Sequence, residues 1–213
     1  MANSPVEICN LALGWLGGDL IISLDDESVE AKLCKANYAL LRDAVLEERE
    51  WTFAVKRLEP AQLVTGPLYG FDNAFQIPPE VLRVLQVSRA GTVVDGALIE
   101  GSFLSATRGG TGTGRETRIE WNREGDQIMA NNADRIFIRA LIRIEDTTKF
   151  SPSFDQAFAA RMAMELSIPI TNSRALQKDM ASLYAEKMRL AAATDGLQGR
   201  SQRVRADAFT VVR

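Results

Sequence analysis

A chain of 213 residues, 46% apolar and 25% charged, is long enough to bury a core of its own and too apolar to be disordered throughout. Its formal charge of −3 does not advertise a nucleic-acid surface, and no stretch approaches the ~20 apolar residues of a membrane span. Histidine is absent. That removes the commonest general base and metal ligand and excludes Ser-His and Cys-His triads.

The first predicted helix starts at Ser4, a capping residue followed by Pro5, whose ring is pre-set for the first helical position. Ile8, Leu11, Ala12 and Trp15 follow at helical spacing, and Gly17-Gly18 ends the run. An extended piece over Leu20–Leu24 leads to Asp25-Asp26-Glu27-Ser28, where Asp26 or Ser28 caps a second helix running to about Arg49. Its core face reads Ala31, Cys34, Tyr38, Leu41 and Val45. Its outer face reads Lys32, Lys35, Arg42, Asp43, Glu47, Glu48 and Glu50. Cys9 and Cys34 both sit in apolar helical patterns, so buried free thiols are expected, with a Cys9–Cys34 disulfide as the alternative.

From Trp51 to Glu145 the periodicity changes, and Pro60, Pro67, Pro78 and Pro79 forbid long helices. Strands are predicted over Val84–Arg89 and Val93–Ile99. A hairpin follows, with strands Arg118–Asn122 and Gln127–Ala130 around a turn at Arg123–Asp126. Arg135–Ile144 alternates, with Ile136, Ile138, Ala140, Ile142 and Ile144 on its apolar side. Short strands with Gly-rich turns suggest a small sandwich or barrel.

Ser151-Pro152 opens a third helix, with Phe154, Phe158, Arg161, Met162 and Glu165 on one side and Pro169 as its end. Ser173 opens a fourth, to about Thr194, with the stripe Leu176, Met180, Leu183, Tyr184, Met188 and Leu190–Ala191, and Gly196 as the stop.

The expected class is therefore α+β: an antiparallel four-helix bundle (1–51 and 151–196), an inserted small antiparallel β domain (52–150) and an extended C-terminal tail (197–213). Charge is uneven along it. Residues 1–51 hold ten acids against four bases. Gly196–Arg213 holds Arg200, Arg203, Arg205 and Arg213 against Asp207. The tail reads either as a segment that meets an acidic or phosphate surface or as a solvated terminus.

Searching for chemistry yields little. Arg108-Gly109-Gly110-Thr111-Gly112-Thr113-Gly114-Arg115 is Gly-rich, but no Lys-Ser/Thr follows and the next segment reads as a strand, so it is not a phosphate-cradling loop. It is read as a long hairpin loop. A weaker reading makes it a flexible finger whose Arg108 and Arg115 touch a partner. The acids fall mostly on outer helix faces or caps rather than as a carboxylate pair. No catalytic residue, metal ligand or cofactor is expected.

Three runs resemble a known family. The first is Ile8-Cys9-Asn10-Leu11-Ala12-Leu13-Gly14-Trp15-Leu16-Gly17. The second is Glu30-Ala31 with Tyr38, Arg42-Asp43 and Leu46, ending in Trp51-Thr52-Phe53-Ala54-Val55-Lys56-Arg57. The third is Tyr69-Gly70-Phe71-Asp72-Asn73-Ala74-Phe75-Gln76-Ile77-Pro78-Pro79-Glu80-Val81-Leu82-Arg83-Val84. Their order resembles the tail tubular protein A family, the head-to-tail adaptors of T7-like short-tailed bacteriophages. The match weakens after about Val87 and revives loosely around Phe154–Glu165 and Leu183–Met188. The resemblance implies a non-enzymatic virion protein, made in the host cytoplasm. It implies a dodecameric ring of side-by-side helical bundles, sitting between the portal protein and the tail nozzle (tail tubular protein B). Double-stranded DNA would pass through the lumen unread. It further implies a C-terminal tail that reaches into the portal, for which Arg200, Arg203, Arg205, Phe209, Val211 and Val212 are the expected contacts. The alternatives are another phage head-completion or stopper protein, or a nucleic-acid-binding module using the basic tail.

Overall fold

The computed structural model describes residues 4–89, 93–94, 97–98 and 119–198. In chain order they form α1 (Pro5–Leu16), α2 (Val29–Glu48), β1 (Val55–Leu58), β2 (Ala61–Gln62), β3 (Asn73–Gln76), β4 (Val81–Arg89), β5 (Val93–Val94), β6 (Ala97–Leu98), β7 (Trp121–Glu124), β8 (Gln127–Ala130), β9 (Ile136–Ile142), α3 (Pro152–Thr171) and α4 (Arg174–Gly196). The class is α+β with antiparallel sheets. The described residues divide into two compact units: those within 4–45, 51–53 and 146–198 form one, and those within 46–50 and 54–145 the other.

In the helical unit the starts follow from capping. Ser4 accepts a hydrogen bond from the Glu7 N–H while the Glu7 carboxylate accepts from the Ser4 N–H, a reciprocal box that satisfies two free donors. Gly17 closes α1 in the left-handed conformation that a side chain would disfavour. Ser28, not Asp26, caps α2 by accepting from the Ala31 N–H. Asp26 instead accepts from the N–H groups of Ile22 and Ser23, and a turn over Ser23–Asp26 falls at the end of the piece expected to be extended. Ser151 and Ser173 cap α3 and α4 by accepting from Phe154 and Leu176.

Three helix expectations need correction. Arg42 is buried rather than outward: it lies beside Asp43 at 2.8 Å, and a guanidinium on an apolar stem tolerates such a site when paired. Pro169 does not end α3, which runs on to Thr171 and closes at Asn172 in the left-handed region. The proline falls in the last turn, where its lost N–H costs a single bond, and the Ser167 and Thr171 hydroxyls donate to nearby carbonyls. The α4 stripe is not a buried seam, since Ala191 and Asp195 are the buried residues of that helix and Leu190 is exposed.

Phe154 sits at the centre of the unit's core. The rings of Phe150, Trp51 and Phe53 lie 4.8, 5.0 and 5.1 Å from it, in tilted or edge-on arrangements. Trp51 donates its ring N–H to the Val45 carbonyl at 2.9 Å, and Tyr38 packs on Phe158 at 5.1 Å. α1 and α4 both pack against α3.

The strand unit holds a three-stranded sheet, β1-β9-β4, and a four-stranded sheet, β2-β3-β8-β7. Phe75, Ile128, Ile136, Ile138 and Ala140 belong to one buried cluster drawn from both sheets. β9 occupies the centre of its sheet, with Ile136, Ile138 and Ala140 buried as the alternation predicted. Leu141, on the other side, is buried as well. The turn between β7 and β8 is tighter than expected, with Glu124 paired to Gln127 around Gly125-Asp126 and Gly125 at positive φ. The single strand predicted over Val93–Ile99 is instead an antiparallel pair, Val93–Val94 against Ala97–Leu98.

Candidate interaction surface

The buried polar groups of the helical unit serve its packing. Asp195, near the end of α4, accepts from the Thr52 N–H at 3.0 Å and from the Thr52 hydroxyl at 2.7 Å. Tyr38 is buried with a hydroxyl that has no hydrogen-bond partner. Burial, with Cys9 and Asp155 nearby, pushes its pKa up, against a smaller opposite pull from Arg42. Cys9 and Cys34 are buried free thiols, and the hydrogen bond between them together with burial pushes the Cys9 thiol far up. The same hydrogen bond lowers the Cys34 thiol, against the effect of burial; both thiols are fully buried, and burial holds the Tyr38 hydroxyl protonated. Among the described residues, no group of three or more acidic or thiol side chains is placed to hold a metal ion. No helix among them is long and apolar enough to cross a membrane.

The acidic run before α2 is a capping and pairing device. Lys35 donates to Asp25 at 2.7 Å and Lys32 to Glu27 at 2.8 Å, and the Lys35 contact holds the Asp25 carboxyl below the usual range.

Surfaces remain. On α2, Val29, Leu33, Ala36 and Leu40 recur at helical spacing and make a second apolar stripe, distinct from the core face. Leu40 is 71% exposed and Val29 64%. The connector before it adds Ile22, 92% exposed. On α4, the stripe Leu176, Met180 and Leu183 is only half-buried. Arg161 of α3 pairs with Glu165 and stacks over the Tyr184 ring of α4, and Lys187 donates to Gln156, so polar links tie α4 to α3 beside that stripe. In the strand unit, Val64, Leu68 and Tyr69 between β2 and β3 are exposed almost completely. Large apolar side chains grouped in solvent mark contact surfaces.

None of these apolar positions was singled out as a contact from the sequence. The α2 stripe was legible there as a second helical period at 29, 33, 36 and 40, but the flanking lysines and glutamates mask it. The expected portal contacts Arg200, Arg203, Arg205, Phe209, Val211 and Val212, and the loop residues Arg108 and Arg115, lie outside the described residues. The geometry can offer apolar helix faces and an apolar loop to protein partners. Comparison with models of protein families finds no match to this chain, and comparison with curated proteins finds none either.

Proposed function

We propose that this chain is a structural, non-enzymatic subunit of a phage head-to-tail adaptor. In this reading it joins a homo-oligomeric ring of twelve copies between portal and nozzle, at the head–tail junction of the virion, and the genome passes through the lumen. The helical unit is taken as an antiparallel four-helix bundle that forms the ring wall, and residues 197–213 as an extended tail that docks into the portal.

One observation carries the reading. The three runs that resemble the tail tubular protein A family fall, in order, on α1, on α2 through to β1, and on β3 with the start of β4. Two helices before the strand unit and two after it meet in one compact unit, which suits a wall element interrupted by an inserted domain. The exposed apolar helix faces suit an obligate assembly, whose interfaces bury on the order of 2,000 Å² or more.

The test is native mass by light scattering, for the protein alone and after mixing with portal rings. A large discrete assembly in either condition supports the reading. A monomer in both removes it.

The net positive charge of residues 196–213 favours one other reading, a nucleic-acid-binding tail. Binding that weakens steeply as salt rises is its signature.

A further inference from the structure

We infer that the C-terminal segment 206–213 of the free chain covers the outward apolar stripe of its own α2, and that a partner which takes this segment uncovers the stripe. The inference concerns the free chain and rests on the adaptor reading only in naming the portal as that partner.

The site is the row Val29, Leu33, Ala36 and Leu40, with both of its ends exposed. It runs about 16 Å along α2 at 1.5 Å per residue. An apolar row of that length on a polar helix calls for an apolar cover.

The described chain stops close to one end of this row. Trp51 donates its ring N–H to the Val45 carbonyl, which ties the residues after α2 back against that helix. The next residue, Thr52, donates its N–H to Asp195, and its hydroxyl lies 3.2 Å from the Gln198 side-chain oxygen. Counting back from Val45, Leu40 is about 8 Å away along the helix and Val29 about 24 Å. Residues 199–213 follow Gln198. At the full extension of ~3.3 Å per residue, Phe209 has a reach of about 36 Å and Val212 of about 46 Å. Both exceed the distance to the far end of the row.

Composition selects this face over the other open one. After Gln198 come Arg200, Arg203 and Arg205, and then the apolar run Ala208-Phe209-Thr210-Val211-Val212. The row on α2 belongs to the acidic part of the chain, residues 1–51, with ten acids against four bases. The half-buried stripe belongs to α4, which holds Arg174, Lys178, Lys187 and Arg189 against Asp179, Glu186 and Asp195. A basic segment is drawn to the first and not to the second. Charge chooses the face, and apolar contact holds the segment there, because exposed ion pairs contribute only ~0–1 kcal/mol each.

The tether makes a weak contact sufficient. A segment joined to its site over this distance has an effective concentration on the order of 1 mM, so a contact too weak to hold two separate molecules still closes within one chain. The stripe is then withheld from other molecules until the segment is drawn off. In the adaptor reading the portal draws it off, so that α2 is uncovered on docked copies alone.

The test puts p-benzoylphenylalanine in place of Phe209 in the otherwise unaltered full chain, irradiates it in dilute solution and maps the products by mass spectrometry. The expected product runs at monomer size on a denaturing gel and joins position 209 to residues 29–40. Leu40→Asp, an exposed change whose folding is checked by circular dichroism, should abolish it. A second measurement uses the buried state of the native thiols: maleimide labelling of Leu40→Cys should speed up when Phe209→Asp and Val211→Asp are added, by about fivefold for a contact whose Kd is roughly a quarter of that effective concentration. Cross-links confined to other segments, cross-links only between two chains (which make a second copy the occupant), no cross-link, or equal labelling rates would each overturn the inference. A self cross-link that portal rings leave at full yield keeps the contact standing and removes the adaptor reading. Capture by portal rings with no self cross-link in the free chain does the reverse.

Discussion

The side-chain amide of Asn10 satisfies both backbone polar groups of Ile21. Its Nδ2–H donates to the Ile21 carbonyl at 2.9 Å, and its Oδ1 accepts from the Ile21 N–H at 2.8 Å. A strand partner would make the same two bonds, so α1 holds the connector to α2 as a sheet would. Ile21 is buried by it while Ile22 is left in solvent. Asn10→Ala should cost about 1–3 kcal/mol in denaturant unfolding, since it strands two partly buried backbone groups. Asn10→Asp keeps the acceptor but sets a carboxylate against a carbonyl. It should destabilise at neutral pH and recover when acidified.

Tyr38 gives the opposite sign. Its buried hydroxyl has no partner, so Tyr38→Phe removes a desolvated polar group while keeping the ring on Phe158. Unfolding should show no loss, or a gain of up to about 1 kcal/mol. A loss above that size would reveal a partner for the hydroxyl. The pH dependence follows from the raised pKa: its contribution to stability is complete below the ordinary tyrosine value of ~10 and fades as pH rises beyond it. The Tyr38→Phe chain should therefore hold its stability further into the alkaline range.

Asp195 secures the end of α4 to the residue after Trp51 through its bonds from Thr52. Asp195→Ala leaves the Thr52 N–H and hydroxyl without their acceptor. A loss of about 2–3 kcal/mol is expected, because bonds to a charged acceptor exceed neutral ones. Thr52→Val, which removes the hydroxyl and keeps the N–H, should cost less.

Acid pH tests the strand unit. Arg135 donates to Glu59 at 2.7 Å, and that hydrogen bond holds the Glu59 carboxyl below its usual range. The unfolded state then takes up the proton more readily. The contribution is present above the ordinary glutamate pKa of ~4.3 and is lost as pH falls below it. Glu59→Gln should flatten the acid limb of a stability-versus-pH curve without altering the alkaline one.

The two thiols should be inert in the native chain and react together once it is denatured. Both are fully buried; Cys9 is held protonated, and Cys34, which the Cys9 bond shifts down, is protected by its cover alone. Native labelling at the rate of the denatured chain would show that α1 and α2 open readily.

The helix starts were legible because their causes are local. Ser4-Pro5, Ser151-Pro152 and Ser173 carry the capping atoms within three residues of the groups they satisfy. The alternation of β9 was legible for the same reason. β1, β2 and β3 were missed because their cause lies elsewhere: Val55 pairs with Leu141 and Asn73 with Ala130, partners that no short window contains. Arg42 was misplaced because a charge on a helix says nothing about what packs over its stem. The open side of α4 was misread as core because an apolar stripe records the wish for cover, not how many helices supply it.

The distance along the chain between the two halves of the helical unit has a consequence for synthesis. α2 ends at Glu48, and α3, against which α1 and Tyr38 pack, begins at Pro152. Roughly a hundred residues separate them, which a ribosome takes on the order of 5–20 s to add. Throughout that interval α1 and α2 have emerged without α3, so Tyr38 lacks the Phe158 ring that packs on it, while the described strands between them have their pairing partners by Glu145. The nascent chain thus completes its middle before its beginning, and its first two helices are the natural substrate for a holding chaperone.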